Sequence, residues 1–368
     1  LDGIQLHFNE SIEYWQAKDG ILMRYLHHWL AVLILTGVIL TGCGKTAQPE
    51  ATELPTAAIQ HEELPTATPV PTSTPSIPGF CPSDETVPQG FQIIGYLPDY
   101  REVNVDRGNC LTDILYFSAE PTDDGRLDSS RLADDMLSNL LVMKQRYGTH
   151  VYVSLGGDQR SGSFSTVTTR ADLRNTFVQN LIRFGTDHQL DGFDFDWEFP
   201  STDAELDGYI ALMQAVQDGG FKVTVALAPS EDIPAGRFAF ADRIHIMSYD
   251  RGDRHSTYEQ AVQDTQLFVD EGLDPKKLAL GIPFYGRNMQ APHEEMTYAD
   301  ILSTYHPSSD LNEEDGVYYN GPDMVQKKTC YARGIGLGGV MIWELGQDSP
   351  ADGSLLKAIH TAAVSGCQ

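Results

Sequence analysis

The sequence predicts an α/β fold in which eight parallel strands close into a barrel, and three observations carry that prediction. Eight apolar, β-branched runs follow one another along residues 90–368. Segments with helical spacing of apolar residues lie between them. The polar residues that interrupt the runs gather at their C-terminal ends, where such barrels place their chemistry. Strand followed by helix, repeated eight times, is the pattern of a (β/α)8 TIM barrel. That architecture takes about 250 residues. One domain therefore accounts for 90–368 of this 368-residue chain, and the remainder reads as leader and linker.

In order, the strand candidates are residues 91–97, 114–118, 150–155, 192–198, 222–228, 243–249, 278–283 and 339–344. Most are nearly continuous in hydrophobicity, as strands buried on both faces must be. Among the intervening helices, Leu132, Met136, Leu140, Met143 and Tyr147 fall on one face. Leu173, Phe177, Leu181 and Phe184 form a second stripe, and Leu206, Ile210, Met213 and Val216 a third. These stripes are expected to pack on the sheet.

The first ninety residues have a different character. Residues 1–22 are unpatterned and read as upstream of a start at Met23. Arg24 then precedes an apolar run from Trp29 to Leu40. The run is short for a membrane span and suits the core of a secretory signal. It ends at Leu40-Thr41-Gly42-Cys43, which resembles the lipobox of bacterial lipoproteins, so 23–43 reads as a lipoprotein signal with Cys43 as the lipidated residue. A conventional signal peptide is the alternative. Residues 44–89 are rich in Pro and Thr, a composition that favours extended, solvated chain. Together they predict an extracytoplasmic domain tethered to the bacterial cell membrane.

Asp and Glu number 52 against 25 Lys and Arg, a net charge of −27. Such a field repels phosphate backbones and argues against nucleic acid as a partner. Its ordinary meaning is solubility, and a monomer is expected. Besides Cys43, four cysteines remain: Cys81, Cys110, Cys330 and Cys367. In an exported protein an even number points to two disulfides, with buried thiols as the alternative. The pairing expected is Cys81–Cys110 and Cys330–Cys367, because the ends of neighbouring strand–helix units meet at the bottom of a barrel.

The fourth strand carries the chemistry. It reads Asp191-Gly192-Phe193-Asp194-Phe195-Asp196-Trp197-Glu198. Side chains alternate along a strand, so Asp194, Asp196 and Glu198 share the inward face, while Phe193, Phe195 and Trp197 face the helices. Three carboxyls in a row repel if all are ionised, so one pKa is expected to be raised and a proton shared. A calcium or magnesium site is the main rival, but no supporting loop accompanies the row, and neither metal nor cofactor is expected.

This stretch resembles the Asp-x-x-Asp-x-Asp-x-Glu motif of the family 18 glycoside hydrolases, the chitinase-like group. Other segments agree in order: Gly95-Tyr96, Ser154-Leu155-Gly156-Gly157, Met247-Ser248-Tyr249-Asp250, residues 280–287 ending at Arg287, and residues 338–344 with Trp343. The resemblance spans roughly residues 90–365. It implies a retaining reaction assisted by the substrate's own acetamido group. Glu198 would be the proton donor. Asp196 would hold the acetamido N–H, and Asp194 would share a proton with Asp196. Tyr249 would align the acetamido oxygen, and Trp343 would floor the sugar site. Asp250, Tyr96, Met247 and Arg287 would line it. Ser154, Gly156 and Gly157 would shape the floor. Asp191, of opposite parity, is assigned to structure, and Asp158 and the histidines to surface or structural roles. The expected partner is an N-acetylglucosamine glycan, of chitin type or alternatively peptidoglycan or N-glycan cores. A lectin on the same barrel is a further alternative, which the retained Glu198 disfavours.

Two departures from the family are expected. The interval between strands seven and eight is short and helix-like, with candidates at 298–305 and 323–333, so no inserted α+β domain is predicted. With only Trp197 and Trp343 in the region, rows of aromatic platforms for crystalline chitin are not expected either.

Overall fold

A computed structural model describes residues 80–82, 86–229, 233–291, 294–350 and 353–367. The proposed leader, Cys43 and nearly all of the linker lie outside the described residues.

The chain runs through β1 (Gln92–Pro98), β2 (Asp113–Pro121) and the short β3 (Leu127–Asp128) into α1 (Asp134–Tyr147) and β4 (His150–Gly156). Next come α2 (Phe164–Thr169), α3 (Ala171–Asp187), β5 (Gly192–Asp196), α4 (Asp203–Asp218), β6 (Lys222–Leu227), β7 (Arg243–Ile246), α5 (Tyr258–Asp270) and β8 (Leu278–Pro283). The remainder is β9 (Tyr285–Asn288), β10 (Glu295–Thr297), α6 (Tyr298–Tyr305), β11 (Glu313–Glu314), β12 (Val317–Tyr318), α7 (Pro322–Gly334), β13 (Gly339–Trp343) and α8 (Leu355–Ser365). Strands β1, β2, β4, β5, β6, β7, β8 and β13 pair in parallel in that order, and β1 closes on both β13 and β2. All eight expected strands are therefore present in a (β/α)8 barrel.

Burial explains the apolar runs. Every residue of β8 and all but one of β2 are buried, because helices cover one face and the barrel interior the other. Outward parity is clearest at Trp197, which stacks on Phe164 at 5.4 Å and meets Tyr209 edge-on at 5.2 Å. Helix α4 is started by a capping box between Thr202 and Glu205, and α5 by one between Thr257 and Gln260. Each cap satisfies free backbone donors of the first turn. Each also ends the loop that follows a motif strand, at Glu198 and at Tyr249–Asp250.

Three expectations need correction. Helix α1 begins after Leu132, and its buried face is Leu137, Leu140 and Met143, with Met136 only partly covered. Neither β3 nor α2 was anticipated. The interval after β8 holds α6 and α7 as expected, but it is not simply helical. Past Phe284 the chain leaves the barrel and builds a four-stranded antiparallel sheet ordered β10-β9-β12-β11. Two of its strands are only two residues long, too short to show any periodicity.

Cys81 bonds to Cys110 and Cys330 to Cys367. The first bridge joins the segments leading into β1 and β2. The second joins the later part of α7 to the residue following the C-terminal turn of α8. Both lie toward the N-terminal ends of the strands, as the pairing argument requires. Peptide mapping without reduction should return these two pairs. Since the bonds close separations of 29 and 37 residues, reducing either is expected to lower unfolding free energy by about 2–4 kcal/mol, measured by urea titration with and without reductant.

Candidate active site

The inward row of β5 begins at Asp194, which is fully buried. Its Oδ2 accepts from Tyr96 Oη at 2.7 Å and Ser154 Oγ at 3.0 Å, and its Oδ1 from Thr224 Oγ1 at 2.6 Å. His245 Nδ1 stands 3.2 Å from Oδ1. These partners come from β1, β4, β6 and β7. Burial pushes the Asp194 carboxyl upward, but His245 and the hydroxyls of Thr224 and Tyr96 outweigh it and hold the group below its ordinary value.

Asp196 ends β5, and Glu198 lies two residues beyond. The Ser154–Gly157 motif grips this end of the strand. Gly157 N donates to Asp196 O at 2.5 Å, and Ser161 Oγ accepts from Glu198 N at 3.2 Å. Gly156 has φ +98°, and a Cβ there would stand 2.5 Å from Asp196 O, so the turn needs glycine. Glu198 is pushed up to about 7, first by burial, then by the negative charges of Asp158 and Asp250, while a hydrogen bond from the Asp158 backbone opposes. The anticipated raised carboxyl is therefore Glu198, whereas Asp194 is lowered.

After β7, Asp250 adopts φ +62° and receives several donors. Arg287 reaches it with Nε at 2.5 Å and Nη2 at 2.7 Å, and Tyr285 Oη donates at 2.7 Å. His255 Nδ1 is 3.4 Å away. Burial again opposes, but His255, Arg287 and Tyr285 hold Asp250 well below the usual carboxylate range. Tyr249 Oη points to Met341 Sδ at 3.9 Å. Its burial and the surrounding carboxylates keep the phenol protonated, well above its ordinary value. Trp343 is partly exposed and wedged edge-on against Phe117 at 4.9 Å and Tyr96 at 5.4 Å.

These groups surround a cavity of about 520 Å³ at the C-terminal end of the barrel. Of the residues singled out from sequence, Tyr96, Asp196, Glu198, Met247, Tyr249, Asp250, Arg287 and Trp343 line it. Asp194 and Ser154 sit behind it. Asp191 is at the opposite end of the strand, where it accepts from Val151 N and pairs with Lys144, both at 2.8 Å.

Sequence reasoning missed several lining residues. Asp158 and Arg160, assigned no role or passed over, face the cavity. Asp158 directly follows a strand's C-terminal motif, and that position was the available signal. His245, set aside with the other histidines, is buried against Asp194. Glu295 and Gln347 had no local signal. Tyr100 and Phe199, 62% and 45% exposed, also line the cavity. Aromatic surface at the cavity is therefore not confined to tryptophan.

Comparison with known proteins agrees with this arrangement. The model of the glycosyl hydrolases family 18 matches residues 92–348. Chitinase 1 of Aphanocladium album is 24% identical over 283 residues, which are 60% of this chain and 67% of that protein. Chitinase A1 of Niallia circulans is 26% identical over 281 residues, 53% of this chain and 40% of that one. The chain thus spans 67% and 40% of the lengths of these two curated relatives. Among solved structures, the GH18 chitinase ChiB from the chitin utilization locus of Flavobacterium johnsoniae is 28% identical with a TM-score of 0.66, covering 76% of this chain and 94% of that one.

The Asp194 cluster sets a stability test. Replacing Asp194 by Ala removes the buried acceptor shared by Tyr96, Ser154 and Thr224, leaving only the 3.0 Å contact between Tyr96 Oη and His245 Nδ1. Asp194→Ala should lose about 3–5 kcal/mol in urea unfolding. A loss under about 1 kcal/mol would show that the cluster does not hold the strands.

Proposed function

The chain belongs to family 18 of the glycosyl hydrolases, and from that premise we propose that it cuts β-1,4-linked N-acetylglucosamine chains by a retaining reaction in which the substrate supplies the nucleophile. One observation carries the reading: Glu198 lines the cavity with a carboxyl that burial and nearby negative charge push up to about 7, beside a second inward carboxyl, Asp196.

Glu198 gives its proton to the glycosidic oxygen, and the bond from that oxygen to the anomeric carbon breaks. The acetamido oxygen of the same sugar closes on the anomeric carbon, forming an oxazolinium ion with the leaving sugar departing as an alcohol. Asp196 accepts the acetamido N–H and offsets the growing positive charge. Tyr249, which keeps its proton, donates to the acetamido oxygen and aligns it. Trp343 lies under the sugar, and Asp250 and Arg287 flank it. Glu198, now a carboxylate, takes a proton from water, whose oxygen opens the oxazolinium ring and regenerates the acid. Asp194, fixed by its partners on four strands, holds the strand that carries Asp196.

Charge favours a neutral glycan. The arginines lining the cavity are already engaged: Arg160 with Asp99, Arg251 with Asp264 and Arg287 with Asp250. Carboxylates of peptidoglycan would find their cations occupied and would meet Asp158 and Glu295. An endo-acting, chitinase-like enzyme on chitooligosaccharides is the better match. In the same reading Cys43 carries the lipid and residues 44–89 tether the barrel outside the cell.

Three outcomes check the chemistry. Glu198→Gln should lower kcat on chitotetraose by at least about 10²-fold while leaving binding by calorimetry within a few fold; undiminished turnover would remove Glu198 from the role of acid. Because the donor works only while protonated, kcat/KM should fall as pH rises through about 7. Fully de-N-acetylated tetramer, lacking the acetamido nucleophile, should not be cut, and equal cleavage of both tetramers would refute substrate assistance.

A further inference from the structure

The loop after β4 brings one more ionisable group to the reacting proton. Residues 156–161 are tied to the end of β5 at two points, Gly157 N to Asp196 O and Glu198 N to Ser161 Oγ. Ser161 Oγ also donates to Gly157 O at 3.0 Å, and Arg160 N to the same oxygen at 3.0 Å. The loop is therefore a closed turn, and Asp158 at its tip faces the cavity with Glu198.

Among the described residues no basic side chain lies within salt-bridge distance of Asp158; its carboxylate accepts only from its neighbour Gln159, at 3.1 Å. The nearest arginine in sequence, Arg160, turns away to Asp99 and Ser118, both at 3.1 Å, and stacks over Phe117 at 5.2 Å. The other ionisable groups around Glu198 are Asp196 on its own strand, Tyr249, Asp250 and Arg251 after β7, and Arg287 and Glu295 on the small sheet. Asp250 is largely offset by Arg287, and Arg251 by Asp264.

We propose that Asp158 is a positioning residue for the catalytic proton: the clasped loop holds its unneutralised carboxylate at the cavity wall beside Glu198, where it disfavours a second negative charge. This rests on the reading of Glu198 as the acid. Two like charges in a low-dielectric cleft repel, and the later one to ionise does so at higher pH. The burial of Glu198 and the charge of Asp158 act in the same direction.

The test is the alkaline limb of kcat/KM against pH, read on chitotetraose. Removing the negative charge makes the Glu198 carboxylate easier to form, so the limb moves to lower pH. Asp158→Asn should move it down by about 0.5–1 unit and Asp158→Lys further, while Asp158→Glu leaves it near the parent position. At about pH 5, where Glu198 is protonated in all of them, the variants should differ from the parent less than they do above about pH 7. Raising ionic strength from about 0.05 to about 1 M should lower the parent limb more than that of Asp158→Asn, since screening acts on the charge the variant lacks. A limb that does not move, that moves equally for Asn and Glu, or that responds to salt alike in parent and variant would overturn the proposal. Glu198→Gln separates the two levels. If it retains turnover, the acid assignment itself fails; if it is inactive and the limb is fixed, only the role of Asp158 falls.

Discussion

The buried charge of Asp194 is the constraint from which the rest of the site follows. A carboxylate with no exposure is tolerable only when donors satisfy it, and here the donors arrive from four different barrel strands. Tyr96, Ser154, Thr224 and His245 cannot reach one pair of oxygens unless β1, β4, β6 and β7 stand in a single register around β5. Period-two alternation then does the remaining work. A slip of β5 by one residue would turn Trp197 into the cavity and Glu198 toward the helices. Electrostatic satisfaction at the bottom of the row therefore decides which side chain stands at its top.

The same row separates its members chemically. Asp194 is surrounded by donors and kept low, while Glu198, two turns of the pleat higher, meets apolar burial and like charge and is kept high. Carboxyls pushed apart in this way divide into a fixed anion and a group able to give up a proton near neutral pH. The clamp of the Gly157–Ser161 loop on the backbone of residues 196 and 198 keeps that division from depending on a flexible segment.

What sequence could and could not convey follows from the range of each interaction. Residues 278–283 and 298–305 are matched to the residue by β8 and α6, because continuous apolarity and helical spacing are local properties. The inward carboxyl row was legible from alternation alone. The small sheet was not, since β11 and β12 offer two residues each and β12 joins the sheet only by pairing Val317 and Tyr318 with the distant Asn288 and Arg287 of β9. His245 sits in the middle of a strand and looks like any core residue until Asp194 is placed opposite. Glu295 enters the cavity only through the path of β10. Asp158 was a different case: its position after the strand's end was visible, but its meaning depends on Arg160 turning away to Asp99, a tertiary event.

That small sheet is more than a wall. Strand β8 continues past Phe284 into β9, so Tyr285 and Arg287 are carried from the barrel rim directly to Asp250. Asp250 adds to the negative potential felt by Glu198, and Arg287 is the main cation against it. Without β9, an uncompensated Asp250 would raise Glu198 further, and its own carboxylate would need another partner in the cavity. The excursion therefore sets the electrostatic balance of the cleft, and a lobe with two-residue strands suffices because its task is to deliver one guanidinium and one phenol to one carboxylate.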